Sequence, residues 1–361
     1  MPPAIVGLVL GAAVLHVAWN VRLKQAGDPL RTAAGAMIAA GVVSVPIGAA
    51  ALLVGPATGA APGAPMLAGP VPVPLGPVRL GPLEASLPIP VVVLGLAVVS
   101  GAIEALYLVL LSAAYRRGDL SIVYPTARGT APVLAAAVGA VVLGERLALL
   151  GAAGVLLLLG GLVGLVRPWQ IVARRRAALA GDWRRDPAIL AVATGVAIAG
   201  YTALDRVAVR LADPWAYGAL VWPSMAVWTV LAERVVAGRR RRTAGPAAAS
   251  ALAGTSVVPP TGGTDPYGDP DPADHTDPGR PDGPARAIAA GVLSYAAYGL
   301  VLLALSVAPL TAVAPLRDSA IVVASGWGAL RMREARSGRE VVGRLGAALA
   351  VVGGAVLLAI E

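Results

Sequence analysis

The sequence predicts an all-α integral membrane protein of ten transmembrane helices arranged as two inverted five-helix repeats. Three observations predict it: a strongly apolar composition, apolar runs of bilayer length, and an internal similarity between the two halves. Over 361 residues, 57% are hydrophobic and only 14% are charged, with a mean hydropathy of +0.75. A soluble globular chain carries about 25% charged residues, so this composition belongs in lipid. The net charge of +9 fits loop arginines facing anionic headgroups better than nucleic acid. With no Cys, disulfides and thiolate metal sites are excluded, and neither His16 nor His275 has a partner at metal-ligand spacing. Lys24 is the single lysine in an arginine-rich chain that also lacks Phe.

A membrane-spanning helix needs about 20 mostly apolar residues. Ten runs qualify: 4–21, 31–54, 90–113, 120–143, 147–166, 188–209, 216–237, 287–307, 310–330 and 341–360. The first has no charged leader region and no clear small-residue cleavage site, so a helix is expected there and not a signal peptide. Backbone groups in lipid must be satisfied within the segment, which makes these runs helices. The alternating pattern of a membrane barrel is absent. Residues 55–89 are Pro/Gly-rich and read as an extended or re-entrant loop. Residues 167–187 form a basic linker, suited to an amphipathic helix on the bilayer surface. Residues 238–285 begin with four consecutive arginines and continue into a Pro, Gly and Asp-rich stretch that reads as disordered. That Asp run lacks the regular spacing and closing Glu of a calcium loop.

The domain plan is therefore 1–166 for the first repeat and 188–361 for the second, joined by the linker. Loops after helices one, three, five, seven and nine carry most of the arginines. Positive charge near helix ends stays in the cytoplasm, which puts those loops inside and both termini outside.

The halves align without gaps at a shift of 185: AWNVRLKQAGDP (18–29) lies on ALDRVAVRLADP (203–214). Asn20 then meets Asp205, Asp28 meets Asp213, and His16 meets Tyr201. Further along, Arg128 and Glu145 have the same separation as Arg317 and Glu334. Glu104 and Tyr107 lie three apart on one helix face, as do Tyr295 and Tyr298. An odd number of helices per half gives the halves opposite topology, the plan of secondary transporters with a midplane site. The blocks HVAWNVRLKQAGDP, YRRGDLSIVYPTARGTAPVLAAAVGAVVLGERL and SVAPLTAVAPLRDSAIVVASGWGALRMRE resemble the EamA domains of the drug/metabolite transporter superfamily, once per half. The Asp/Pro loop before helix eight and the Pro-rich segment after helix two depart from that pattern without touching the motifs. The resemblance implies a transporter of the cytoplasmic membrane (the inner membrane of a bacterium). It also implies both termini inside, opposite to the arginine distribution.

A charge at the bilayer centre costs at least about 2.5–3.5 kcal/mol, so each one is a candidate site. Glu104 is the deepest carboxylate and, with Asp205, a candidate coupling group; a structural hydrogen bond to a neighbouring helix is the alternative for Glu104. Tyr107 stands one turn from it. Tyr124-Pro125 and Arg128 open helix four, where Pro125 frees a carbonyl and Arg128 can clamp an anion or snorkel to the interface. Arg317 repeats Arg128 in the second half. His16, Trp19, Asn20 and Lys24 share one face of helix one. Tyr201 and Asp205 are their second-half counterparts on helix six, while Tyr295 and Tyr298 answer Glu104 and Tyr107; an interfacial aromatic belt is the alternative for the Trp and Tyr stripe. Glu145 and Glu334 read as end-of-helix anchors or gate pairs. Gly160, Gly161 and Gly164, with Gly343, Gly346, Gly353 and Gly354, give helices five and ten small faces for packing on each other or on a second protomer.

No phosphate loop, nucleophile elbow or metal cluster is present, so no cofactor, metal or catalytic residue is expected. The expected function is a secondary active transporter of a small metabolite, amino acid or drug, working by alternating access as an exporter. Its partners are the small-molecule substrate and the lipid bilayer, with no nucleic acid, as monomer or homodimer. A membrane enzyme acting on lipid-linked substrates, and a scaffold working through residues 238–285, are the alternatives.

Overall fold

Apolar runs of bilayer length leave the backbone no partner but itself, and the chain meets that demand with helices. The structure, a computed structural model, describes residues 3–54, 78–79, 86–87, 89–141, 149–167, 186–243, 283–307, 317 and 320–359. Among them run α1 (Pro3–Lys24), α2 (Pro29–Val54), α3 (Ile89–Tyr115), α4 (Leu120–Val141) and α5 (Leu149–Val166). They continue with α6 (Pro187–Leu211), α7 (Pro214–Thr243), α8 (Pro284–Val307), α9 (Ala320–Gly326) and α10 (Gly338–Ala359). A two-residue antiparallel pair, β1 (Val78–Arg79) and β2 (Ser86–Leu87), lies within the Pro/Gly-rich segment. The fold is all-α apart from that pair, and seven described helices are long and apolar enough to cross a membrane: α1, α2, α3, α5, α6, α7 and α10.

Several helix starts share one local code. Asp28-Pro29, Asp186-Pro187 and Asp213-Pro214 each place an acid at the N-cap and a proline at the first helical position. The Asp oxygens accept from Leu30 N (3.1 Å), Ala188 N (2.9 Å) and Trp215 N (2.9 Å). The acid satisfies an orphan N–H, and the proline lacks an N–H that would be wasted there. The shared Asp28 and Asp213 of the internal alignment are therefore helix caps.

Two elements differ from the sequence reading. The seventh helix was expected to stop at 237, yet α7 carries Arg239 to Arg242 up to Thr243. Arginine is a good helix former, and cations in a last turn oppose the negative end of the helix dipole. The ninth run was expected to be one helix over 310–330. Residues 310–316, 318 and 319 lie outside the described residues. What differs is the end of the run, where α9 passes into a π-helical turn, Trp327–Arg331. Glu145, Arg146, most of the basic linker and 244–282 lie outside the described residues.

Contacts sort the helices into two ends. At one end, Lys24 of α1 reaches Tyr115 and Gly118 after α3. Asp28 meets Arg116 and Arg240, and Arg344 of α10 meets Asp119 before α4. This end gathers Arg22, Arg116, Arg117, Arg239, Arg240, Arg331, Arg333 and Arg336 and is hereafter the arginine-rich end. At the opposite end, Gly48 near the close of α2 sits against Trp215 at the start of α7. Between the ends, α2 packs on α7 and α8, α3 on α6 and α7, α1 on α8 and α9, α4 on α5, α6 and α9, and α5 on α10. Outward positions such as Val91, Leu94, Val98 and Leu106 on α3 remain exposed and apolar, as lipid contact requires.

The α5–α10 interface depends on its glycines. A Cβ at Gly161 would stand 2.7 Å from the Ala347 carbonyl oxygen, and one at Gly354 would stand 2.5 Å from that of Gly154. Backbone atoms cannot retreat as a flexible side chain can. Gly161→Val should therefore destabilise the bundle by about 1–3 kcal/mol, read as a lower unfolding midpoint in detergent. Gly160→Val, at a position with open space, should leave the midpoint within a degree or two of the parent.

Candidate functional site

A cavity of about 280 Å³ lies among α1, α2, α3, α4, α6, α7 and α8, with Met37 lining it from α2 and Arg317 from outside the numbered helices. Its size suits a small solute. From α1 it takes Ala12, His16 and Trp19; from α3, Glu104, Tyr107 and Leu108; from α4, Arg128. From α6 come Ile198, Tyr201, Thr202 and Asp205, and from α7 Tyr217, Val221, Trp222 and Met225. Helix α8 adds Ser294, Ala297, Tyr298 and Val301. The wall therefore draws on both halves of the chain and carries two carboxyl groups and two guanidinium groups.

Helical spacing explains how this wall arises. His16 and Trp19, Glu104 and Tyr107, and Tyr201 and Asp205 are three or four residues apart, so each pair shares one helix face. Trp222 and Met225 repeat the spacing on α7. Rings pack edge-on around the space: Tyr107 on Tyr201 with centroids 6.0 Å apart, and Trp222 on Tyr298 at 5.7 Å. Such T-shaped pairs are favoured by the ring quadrupole.

The charged groups are held differently. A guanidinium nitrogen of Arg128 lies against Nε2 of His16. Arginine only donates, so that ring nitrogen is the acceptor. The Trp19 indole approaches the other ring nitrogen at a loose 3.4 Å. Asp205 is anchored through one oxygen, which accepts from Ser100 Oγ at 2.5 Å and Tyr217 Oη at 2.7 Å. Glu104 has no such anchor: its Oε2 is buried with no hydrogen-bond partner among the described residues. A buried carboxyl oxygen in an apolar bundle calls for a donor, whether a proton, a cation or a solute group.

Nine of the sequence-selected residues line this one cavity: His16, Trp19, Glu104, Tyr107, Arg128, Tyr201, Asp205, Tyr298 and Arg317. Four do not. Asn20 is buried, donates to the His16 carbonyl (2.8 Å) and accepts from Tyr115 Oη (2.9 Å). Lys24 donates from Nζ to the carbonyls of Tyr115 (2.6 Å) and Gly118 (2.7 Å), closing the C-terminus of α3. Tyr124 packs against His16 and under Arg128, and Tyr295 stacks behind Trp222. These four stand behind the wall and hold it.

The sequence reading missed Tyr217, Trp222, Met225, Thr202 and Ser294. Tyr217 and Trp222 lie near a helix start, where rings read as an interfacial belt. A usable signal was present for Tyr217: its hydroxyl pairs with Asp205 twelve residues earlier, across a tight Asp-Pro turn. Among the described residues no group of three or more metal-ligating side chains forms. In comparisons with known proteins, no family model and no curated sequence matches the chain.

The supporting bonds are testable apart from any transport. Lys24→Met removes two charge-assisted hydrogen bonds at a helix end and should lower stability by about 1.5–3 kcal/mol. Thermal unfolding in detergent checks it. Lys24→Arg, which keeps the donor charge, should recover part of the loss.

Proposed function

We propose that this chain is a ten-helix secondary transporter of the cell membrane, built as two inverted five-helix repeats. It moves a small metabolite, amino acid or drug by alternating access, as an exporter. The observation that carries this reading is the cavity, which is lined from both halves and holds unanchored Glu104 inside an apolar bundle. Ionisable groups within membrane helices are expensive and mark substrate or ion pathways.

The pairing of helices supports the repeat. Exchanging each helix for the one five places on, α1–α8 answers α3–α6, and α2–α8 answers α3–α7. Likewise α4–α6 answers α1–α9, α4–α5 answers α9–α10, and α2–α7, α4–α9 and α5–α10 map onto themselves. That exchange symmetry agrees with the alignment of AWNVRLKQAGDP on ALDRVAVRLADP and with the resemblance to EamA domains. Halves of five spans each insert with opposite topology and meet at a midplane site.

In this reading Glu104 exchanges a proton or substrate cation as the cavity changes sides, and Asp205 holds the opposite wall through Ser100 and Tyr217. Arg128 and Arg317 contact an anionic group of the solute. A thermal-shift screen identifies that solute, because a ligand bound only to the folded state raises stability by RT ln(1 + [L]/Kd). With the solute in hand, the test is uptake into vesicles under an imposed pH gradient. Glu104→Gln should lower gradient-driven uptake by at least about tenfold, the factor carried by one charged hydrogen bond of about 1.5–3 kcal/mol, while solute exchange without a gradient persists. Unaltered gradient-driven uptake by the variant removes Glu104 as the coupling group.

A further inference from the structure

Described residues close the arginine-rich end of the bundle well above the cavity. Every cavity residue from α1, α3 and α4 lies several residues in from the arginine-rich end: Trp19 is five from Lys24, Tyr107 and Leu108 are seven or more from Tyr115, and Arg128 is eight from Leu120. Between cavity and surface, Leu23, Tyr115, Leu120 and Val123 are fully buried and form a plug. Beyond that plug sits an ionic cluster that the transport reading leaves unused.

Its centre is Arg344, a guanidinium one and a half turns into α10 and only 6% exposed. Nη1 donates to Ser121 Oγ at 2.5 Å, and Nη2 pairs with Asp119 (2.8 Å) and Glu340 (2.6 Å). Glu334 completes the cluster. Its Oε1 accepts from Leu120 N (2.7 Å), and its Oε2 accepts from Ser121 N (2.9 Å) and Ser121 Oγ (2.7 Å). The second half of the chain thus caps the first turn of α4. The proline at 125 contributes as well: lacking an N–H, it leaves the Ser121 carbonyl open, and Ser325 Oγ approaches it at 3.4 Å.

Glu334 is presented by an unusual piece of backbone. The π-helical turn Trp327–Arg331 ends α9, and Arg333 has a φ of 53°, a left-handed conformation that a non-glycine residue adopts only when its surroundings enforce it. Gly328 lets this turn approach closely, since a Cβ there would stand 2.8 Å from Ser121 N. A strained turn held by one capping carboxylate is the kind of element that a switch between two arrangements would use. Under the shift of 189 that relates Glu334 to Glu145, the position matching Arg344 is Val155.

We propose that Arg344, with Asp119, Ser121 and Glu334, is the gate of the arginine-rich end, and that the turn 327–334 is its hinge. The inference rests on the transport reading and adds which end this structure holds shut and what holds it. The electrostatics set the direction. Arg344 is the cation paired with Asp119, Glu334 and Glu340 together. Lys24 acts on Asp119 and Glu334, and Arg167 on Glu340, only through longer-range attraction. Removing the guanidinium therefore deletes the direct tie between α4 and α10 and leaves the three carboxylates less compensated. The other tie at this end, Asp28 with Arg116 and Arg240, is half-exposed and water-screened, which makes it the weaker one.

The absence of cysteine from the chain makes the experiment clean. Ala297→Cys places one reporter thiol in the cavity, and a charged, membrane-impermeant maleimide is applied to one face at a time in vesicles of each orientation. In the parent background the thiol should react from the face opposite the arginine-rich end. Adding Arg344→Gln should raise labelling from the arginine-rich face by about tenfold, the population change of an equilibrium shifted by one charged contact. Asp119→Asn should give a smaller rise, because Arg344 keeps Ser121 and Glu340 as partners and Glu334 still caps α4, and Arg344→Lys should stay near the parent. If Arg344→Gln does not fold, Asp119→Asn decides alone. Labelling confined to the same face in the folded variants overturns the gate. A thiol reachable from neither face in any background overturns the transport reading, and the gate with it.

Discussion

A polar group inside an apolar helix bundle must find a partner, and this constraint organises the whole chain. Water is not at hand to take an orphan donor or acceptor, so the expense of burial is offset locally or the group faces a wet space. Asn20 is met by Tyr115 and the His16 carbonyl. Lys24 is met by two carbonyls at the end of α3, and Asp205 by Ser100 and Tyr217. Against that background the buried, unmatched oxygen of Glu104 stands out. Glu104 is also one of the residues that line the cavity.

The same rule explains why the fold was easy to read and the site only partly so. Helices are legible because bilayer length and internal hydrogen bonding leave a long apolar run few alternatives. The contact of α5 with α10 was legible from glycines, since small faces permit close approach and little else. Helix-face spacing was also enough to bring His16, Trp19, Glu104, Tyr107 and Arg128 together. What spacing cannot supply is depth. Lys24 shares a face with His16, yet eight residues of rise carry it about 12 Å along the axis, out of the cavity and onto the end of α3.

The ends of helices were harder still, because there one residue type serves several purposes. An arginine near a helix start reads as a topology signal or a snorkelling side chain, and Arg344 gives no hint in sequence that it is buried. Apart from Glu340 one turn back, its partners Asp119 and Ser121 sit more than two hundred residues away. Arginines at the end of α7 read as the start of a loop, whereas the helix dipole keeps them helical through Thr243. The π turn after α9 has no composition signature at all. It exists because Glu334 is pulled to cap α4, and a tertiary bond of that kind overrides local preference.

The proposed gate also bears on how two halves that align in sequence come to differ. Where the halves correspond, they share helix caps such as Asp28 and Asp213, and these only build the frame. Where they diverge, the differences fall on groups that face a cavity or an end: Glu104 against Tyr295, Asn20 against Asp205, Arg344 against Val155. A perfectly symmetric bundle has equal energies for the two inverted arrangements, so neither end is favoured. In the proposed transporter the Arg344 cluster, whose arginine aligns with Val155 in the first half, would break that degeneracy. It would need to be worth only a few kcal/mol to hold most molecules closed at one end, and binding of the proposed solute at Glu104 and Arg128 would offset an energy of that size.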